Sequence, residues 1–483
     1  MVLPRNLKKV QLKLPKREDE FKMVGVLAII VSLGLLMYLA YRGITVLILA
    51  PILSLGAAFV ASGADAHIMA TYTEIFMKAF ANYAKSYFPV FLLGAIFGKL
   101  MDDSGSAKSI SQAIAKKLGG DKAVLAVILA CGILTYGGVS LFVVAFAVFP
   151  IAVQLFKEAD IPKRLIPGSI AAGAFTFTMT ALPGTPQIQN AIPMPFFGTD
   201  AYAAPILGIV ATIGMLGGAL LWLNFRVKKA KAAGEGYGNH PNEKVVQLDD
   251  KDLPSFGLAL LPIILVLVIN FVFSKFVFVA GKYDGAYLKD FGTKLASVSG
   301  TWSLVLALVI SIIITIIINL KNLKDAKDSV NQGAIGSLLA VVNVSSEVGY
   351  GNVIQSLAAF TILKEALLGI SSNPIISEAV SVNVLAGITG SASGGMSIAL
   401  GVLGKTYLEA AIQQGINPEV LHRIAALASG GFDSLPHNGA VITLLSICGL
   451  THKDSYADVG MCSVVIPVLT LVVVVILATF GVV

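Results

Sequence analysis

Charge is scarce in this sequence. Only 13% of its 483 residues are Asp, Glu, Lys or Arg, 56% are hydrophobic, and mean hydropathy is +0.83. A soluble chain carries about 25% charged residues, so a water-solvated globule is excluded. Cysteine is scarcer still: Cys131, Cys448 and Cys462 have no CxxC or ligand spacing and sit in apolar surroundings. That excludes a disulfide framework and a thiolate metal site, and no cofactor is expected. The net charge of +7 comes from basic residues in loops between apolar runs. Such a pattern is membrane topology and argues against a nucleic-acid partner.

What the chain has is apolar length. "SLVLALVISIIITIIINL" (Ser303 to Leu320) and "VVIPVLTLVVVVILATFGVV" (Val464 to Val483) each approach the roughly 20 apolar residues that cross a bilayer. The expected class is an all-α polytopic membrane protein, multi-pass in the cell (inner) membrane, with the lipid bilayer as its solvent. The basic, polar residues 1–22 read as a poorly ordered tail. They are too long and too charged for a signal-peptide n-region, no small-residue cleavage site follows, and Met23 is a second candidate start.

Spans are expected near 23–41, 44–62, 87–103, 165–181 and 203–225, with an interfacial amphipathic piece at 107–120. The segments 123–134 and 139–156 are joined by "TYGG", too short a link for two full crossings and a loop. After a polar linker at 226–254 the order recurs. Spans fall near 256–279, 302–320 and 333–347, an amphipathic piece at 352–368, paired segments at 375–389 and 396–412, and spans near 419–432 and 460–481. Local signals recur with it: "YGGVSLFVVAF" resembles "SGGMSIALGVL", "ADIPKRL" resembles "GINPEVL", and "TALPGTPQ" resembles "DSLPHNGA". The chain thus reads as an internal duplication, 23–225 and 255–483. Each repeat holds a re-entrant hairpin (about 123–156 and 375–412) and a broken helix (about 165–195 and 419–450). Five crossings per half make the repeats inverted. Loop charge, from Arg42 through the Arg226–Lys231 cluster to Lys453, then falls on one side, which the positive-inside rule makes cytoplasmic; the basic tail lies on the other.

Pro183 and Pro186, with Gly184 between them, break one helix, and Pro436 and Gly439 break its mate. Irregular backbone at membrane depth is tolerated only inside protein or along a watery cavity. Paired interruptions in two halves are the best sequence pointer to a transporter's binding site. The candidate substrate-binding residues are Thr135, Tyr136, Gly137 and Ser140 at one hairpin tip and Ser391, Ser393 and Gly394 at the other. From the breaks come Gly184, Thr185, Gln187, Gln189, Asn190, His437 and Asn438. Small residues at the tips have a plainer use in helix packing, and Asn438 and Thr185 one as helix caps. Asp433 and His437 are candidate proton carriers; the plainer uses are an N-cap or a pairing with His437 for the first and a bond to a freed carbonyl for the second. Glu347, which ends a short span, is either a further ionisable candidate or interfacial. Ser434, His437 and Asp433 invite a hydrolase reading, which Pro436 opposes by interrupting their register, and nothing resembles an oxyanion hole. An enzyme is not expected.

From about Met23 to Val483 the sequence resembles the gluconate permease (GntP) family. "LPGTPQIQNAIP" (Leu182 to Pro193), "GGFDSLPHNGAVITLLSICGLTHKDSY" (Gly430 to Tyr456) and the two glycine-serine tips carry the resemblance. The "LPHNGAVITLL" form looks more like the 3-hydroxybutyrate permease branch than like gluconate carriers, which show an "HVND"-like stretch there. The resemblance implies inverted repeats, a homodimer, and symport of a small hydroxy-monocarboxylate with a cation, usually a proton. Sodium coupling and, further off, an anion channel are the alternatives. No arginine or lysine falls within either break, so helix ends and neutral donors are expected to hold the anion.

Overall fold

The computed structural model describes residues 14–42, 44–240 and 253–483, and every regular element in them is helical. The tail up to residue 13 and the linker stretch 241–252 lie outside the described residues. Among the described residues, five helices are long and apolar enough to cross a membrane: Ile68–Asp103, Pro205–Ala232, Phe256–Val277, Leu295–Ile318 and His452–Thr479. In hydrocarbon a helix is the way such runs satisfy their own backbone.

The two halves present the same order of elements. In the first, Leu14–Tyr41 and Val46–Ser62 lead to the long helix Ile68–Asp103, then to the short amphipathic helix Ser106–Leu118. Ala123–Tyr136 and Leu141–Glu158 occupy the segment read as the first hairpin, and Ile166–Ala174 with Phe177–Thr180 precede the first break. Ile188–Ala191, Pro193–Phe197 and Pro205–Ala232 follow it. In the second half Phe256–Val277, Leu295–Ile318, the long helix Ala326–Ser356 and Phe360–Leu368 take the corresponding places. Pro374–Thr389 and Ala392–Gln413 form the second pair, Pro418–Ser429 and Gly439–Cys448 flank the second break, and His452–Thr479 closes the chain.

Equivalent elements pack on each other. The two long helices run antiparallel: Ser329 Oγ donates to Asp103 Oδ2 at 2.6 Å, Gly333 faces Ile96 and Gly349 faces Phe76. Pro205–Ala232 and His452–Thr479 also run antiparallel, with Gly214 against Thr470 and Gly218 against Ile466. Outer elements are exchanged between halves. Ser109, on the amphipathic helix of the first half, donates to Pro254 O at 2.7 Å ahead of Phe256–Val277, while Gly25 on the first helix meets Ala359 just before Phe360–Leu368.

Boundaries differ from the hydropathy reading where packing, not lipid, sets helix length. The span expected at 87–103 begins at Ile68, because Glu74, Lys78 and Lys85 lower the hydropathy of a stretch that the partner helix still supports. The span expected at 333–347 is the middle of Ala326–Ser356, so the piece read as amphipathic from 352 starts at Phe360. Helix already begins at Leu14, inside the expected tail, and Pro205–Ala232 runs seven residues into the expected linker.

Past that helix the chain is held by charge. Asp458, 1% exposed, pairs with Arg226 at 2.8 Å and Arg164 at 3.2 Å, and accepts from Trp222 Nε1 at 3.0 Å. Arg164 also grips Glu235 through two hydrogen bonds of 2.6 and 2.8 Å. This guanidinium holds the Glu235 carboxyl below its ordinary range. A carboxylate with a lowered folded value stabilises above its unfolded value, and the benefit disappears as pH falls through the folded one. Glu235 is 42% exposed, so screening keeps the pair under about 1 kcal/mol. The expected result is that Glu235→Gln melts slightly below wild type at neutral pH and low salt, with the gap closing in acid; thermal scans in detergent across pH check it.

Candidate functional site

The first break is a run without helix from Ala181 to Gln187. Pro183 and Pro186 supply no N–H, and Gly184 sits at φ +86, where a Cβ would collide with the Tyr202 ring. The neighbouring hairpin tip is fastened to it. Tyr136 Oη donates to Pro183 O at 2.7 Å, and Gln187 Nε2 donates to Thr135 O at 2.7 Å. Gly138, at φ +95, lets the tip approach so closely that a Cβ would lie 2.9 Å from Pro186 Cγ. Gly137 is buried beside Ile263, and Ser140 caps the second hairpin helix.

Three side-chain oxygens buried at this junction have no partner: Thr135 Oγ1, Thr185 Oγ1 and Gln189 Oε1. A buried polar atom left alone costs on the order of 1–3 kcal/mol, so such atoms at one junction mark a place for a ligand. Asn190 is different. Its Nδ2 donates to Thr185 O (3.0 Å) and Ala201 O (2.8 Å), and its Oδ1 accepts from Arg423 Nη1 (3.0 Å). It is wholly buried and braces the break, and of the amide cluster only Gln189 keeps a partnerless atom.

The second break runs from Gly430 to Asn438, with one short 3-10 turn at Phe432–Ser434. Here too the tip is tied to the break through main-chain carbonyls. His437 Nε2 lies 3.0 Å from Gly387 O, which can only accept, so this nitrogen carries the proton. Asn438 Nδ2 donates to Gly390 O at 2.8 Å, and its Oδ1 accepts from Ala440 N and Val441 N. Asn438 therefore caps Gly439–Cys448 and consumes N–H groups that were expected to face an anion. Replacing it with Ser should keep much of the cap yet release the tip, while Ala should lose both and cost about 1–2 kcal/mol; thermal midpoints of the two variants separate the contributions.

Asp433 and His437 do not pair with each other. Asp433 Oδ1 accepts from Ser434 Oγ at 3.2 Å, and His437 is engaged at Gly387. The proline between them turns the two side chains to different partners. Ser391 caps the second helix of its hairpin by accepting from Gly394 N at 3.0 Å, and Ser393 lies 3.5 Å from it.

Sequence reasoning missed a charge. Arg423, on Pro418–Ser429, is 0% exposed, and its partners belong to the first break. Nε and Nη2 donate to Ala203 O (3.1 and 2.8 Å), and Nη1 donates to Thr180 O (3.2 Å) besides Asn190. Thr180 is the last residue of a helix, whose carbonyl end attracts a cation. His422 bonds Asn190 Oδ1 through Nε2 (3.1 Å) and Thr199 Oγ1 through Nδ1 (2.6 Å). The breaks meet here: a Cβ on Gly430 would stand 2.7 Å from Thr180 Cγ2. Neither break itself contains an arginine or lysine, but Arg423, ahead of the second, places a cation against the first. The available signal was an arginine inside an apolar run, which is a functional-site hypothesis by default.

Apolar spans around two interrupted helices, with buried polar groups gathered at the interruptions, define a membrane transporter. Residues 22–480 match the profile of the GntP family of permeases, and the chain belongs to that family. It is 46% identical over 447 residues (89% of this chain, 94% of the relative) to the uncharacterized transporter YxjC of Bacillus subtilis. It is also 25% identical over 421 residues (83% and 88%) to the high-affinity gluconate transporter of Escherichia coli. In fold it is similar to the YdaH transporter of Alcanivorax borkumensis, at a TM-score of 0.55 and 13% identity over 87% of this chain and 89% of that one.

Proposed function

We propose that the chain is a secondary active symporter of the cell (inner) membrane, importing a small hydroxy-monocarboxylate of the gluconate or 3-hydroxybutyrate kind. One observation carries the reading: partnerless oxygens of Thr135, Thr185 and Gln189 sit at the first junction, which is braced by the buried Arg423. Hydroxyl and amide oxygens suit a hydroxylated substrate, and a single guanidinium nearby suits a single carboxylate. The gluconate-transporting relative supports the substrate class. Antiparallel packing of corresponding helices supports inverted repeats, re-entrant hairpins and alternating access. Coupling to a proton is the first choice and to sodium the second, and a homodimer follows the resemblance.

The test is uptake into proteoliposomes of labelled gluconate, 3-hydroxybutyrate, lactate and citrate under separate proton and sodium gradients. Accumulation of one hydroxy-monocarboxylate and stimulated counter-flow are expected; a channel cannot exchange against a gradient. Thr185→Val should raise KM for that substrate about tenfold, the loss of one hydrogen bond. Transport of citrate alone, or an unchanged KM in the variant, would sink the assignment.

A further inference from the structure

The long helix Ala326–Ser356 carries a buried carboxyl apart from both breaks. Glu347 is 5% exposed and lies in the interior of that helix, not at the interface. Its side chain reaches the N-terminal end of Ala392–Gln413, the second helix of the second hairpin. The fit is tight enough that a Cβ on Gly394 would collide with the carboxyl. Glu347 Oε2 has no hydrogen-bond partner. From the facing helix Ile68–Asp103, the buried Tyr83 phenol is turned toward Ser397 and stands near enough to Glu347 to feel its charge. The Ser391 hydroxyl lies beside the carboxyl, at the same Gly394. On its own helix the nearest titratable group is Tyr350, engaged with Ser32 Oγ at 2.7 Å.

Among the described residues no lysine, arginine or histidine forms an ion pair with Glu347. A buried carboxylate without a cation is costly by far more than a neutral group, so it takes a proton or a metal ion instead. The positive end of a helix is a poor place for a cation unless a carboxylate is there to hold it, and this one is. The first half has no such group. Its long helix presents Gly98 to the first tip, where a Cβ would stand 3.3 Å from Ser140 N.

We propose that Glu347, with Tyr83 and Ser391, forms a site for a monovalent cation, H+ or Na+, that drives substrate through this carrier. The site touches both junctions. Through the second tip it reaches Gly390 O and Gly387 O, which hold Asn438 and His437. Tyr83 stacks near Tyr87, with ring centroids 4.6 Å apart, and Tyr87 Oη donates to Ile192 O within the first broken helix, at 2.9 Å. Filling or emptying the site changes the charge at a tip on which the substrate junctions rest.

The inference rests on the cation-driven reading above, and its test separates the two. Binding of labelled gluconate, or of 3-hydroxybutyrate if wild type accumulates that acid, is measured in detergent against pH and against sodium. Gradient-driven accumulation and counter-flow are measured in liposomes. Wild type is expected to bind more tightly as one of the two cations rises, and which one tells proton from sodium. Glu347→Gln is expected to bind the same probe with no dependence on either cation, to lose accumulation, and to keep counter-flow. Retained cation dependence or accumulation in that variant overturns the proposal, as does a folded variant that binds no probe under any condition. Should Glu347→Gln fail to fold, Tyr83→Phe decides: a shifted cation midpoint supports the site, and an unchanged one overturns it. A wild type indifferent to both cations refutes the cation-driven reading itself, whatever the variants do.

Discussion

Arg423→Met should remove most of the folded protein. The methionine fills the space but donates nothing, which strands Ala203 O and Thr180 O in a wholly buried place and leaves Asn190 Oδ1 to His422 alone. Each abandoned acceptor costs on the order of 1–3 kcal/mol, so the summed loss reaches the lower end of the 5–15 kcal/mol that holds a typical domain together. Arg423→Lys restores the charge but not the fork, and one ammonium cannot reach three acceptors in the guanidinium's geometry. The expected ranking of thermal midpoints in detergent is wild type, then Lys, then Met. A Met variant that melts within a degree of wild type would show that these hydrogen bonds do not hold the breaks together.

Gly395→Ala should be nearly as damaging, through sterics alone. An added Cβ would land on the backbone of Ala386, in the other helix of the same hairpin. Backbone cannot turn aside as a flexible side chain can, so the helices must separate, at about 1–3 kcal/mol or more. Separation also moves Gly387 and Gly390, whose carbonyls hold His437 and Asn438. Loss of transport is therefore expected to exceed the loss of folded protein. Gly401→Ala, one and a half turns on in the same helix with open space beside it, is the control and should behave as wild type. Uptake per folded transporter separates the two variants.

Much of the architecture could be read from sequence because lipid imposes it locally. Apolar runs marked the helices, and Pro183, Pro186 and Pro436 marked the breaks, since a missing N–H is visible one residue at a time. Asn438 was legible as a cap for the same reason. What was hidden is what distance in sequence conceals. Arg423 fell inside the span expected near 419–432, and its partners Thr180, Asn190 and Ala203 lie more than two hundred residues earlier. Glu347 looked interfacial because the span was expected to end there, ahead of an amphipathic piece from 352. Packing against the other long helix keeps that stretch helical to Ser356. Asp433 and His437 suggested a pair by spacing, and the proline between them separated their partners.

Each hairpin tip is fastened to the break of its own half by side chains that grasp main-chain carbonyls: Tyr136 and Gln187 with the first, His437 and Asn438 with the second. A tip held this way cannot swing off like a lid without giving up two hydrogen bonds at membrane depth, where no water replaces them. On the transport reading proposed above, tip and break would travel as one cassette, and shuttling between the two faces would be a slide of whole cassettes past the long antiparallel helices. Lubrication then matters more than hinging: the small residues that those long helices turn to the hairpins, Gly98 against Ser140 and Gly351 against Ile398, would be the bearing surface on which turnover speed is set.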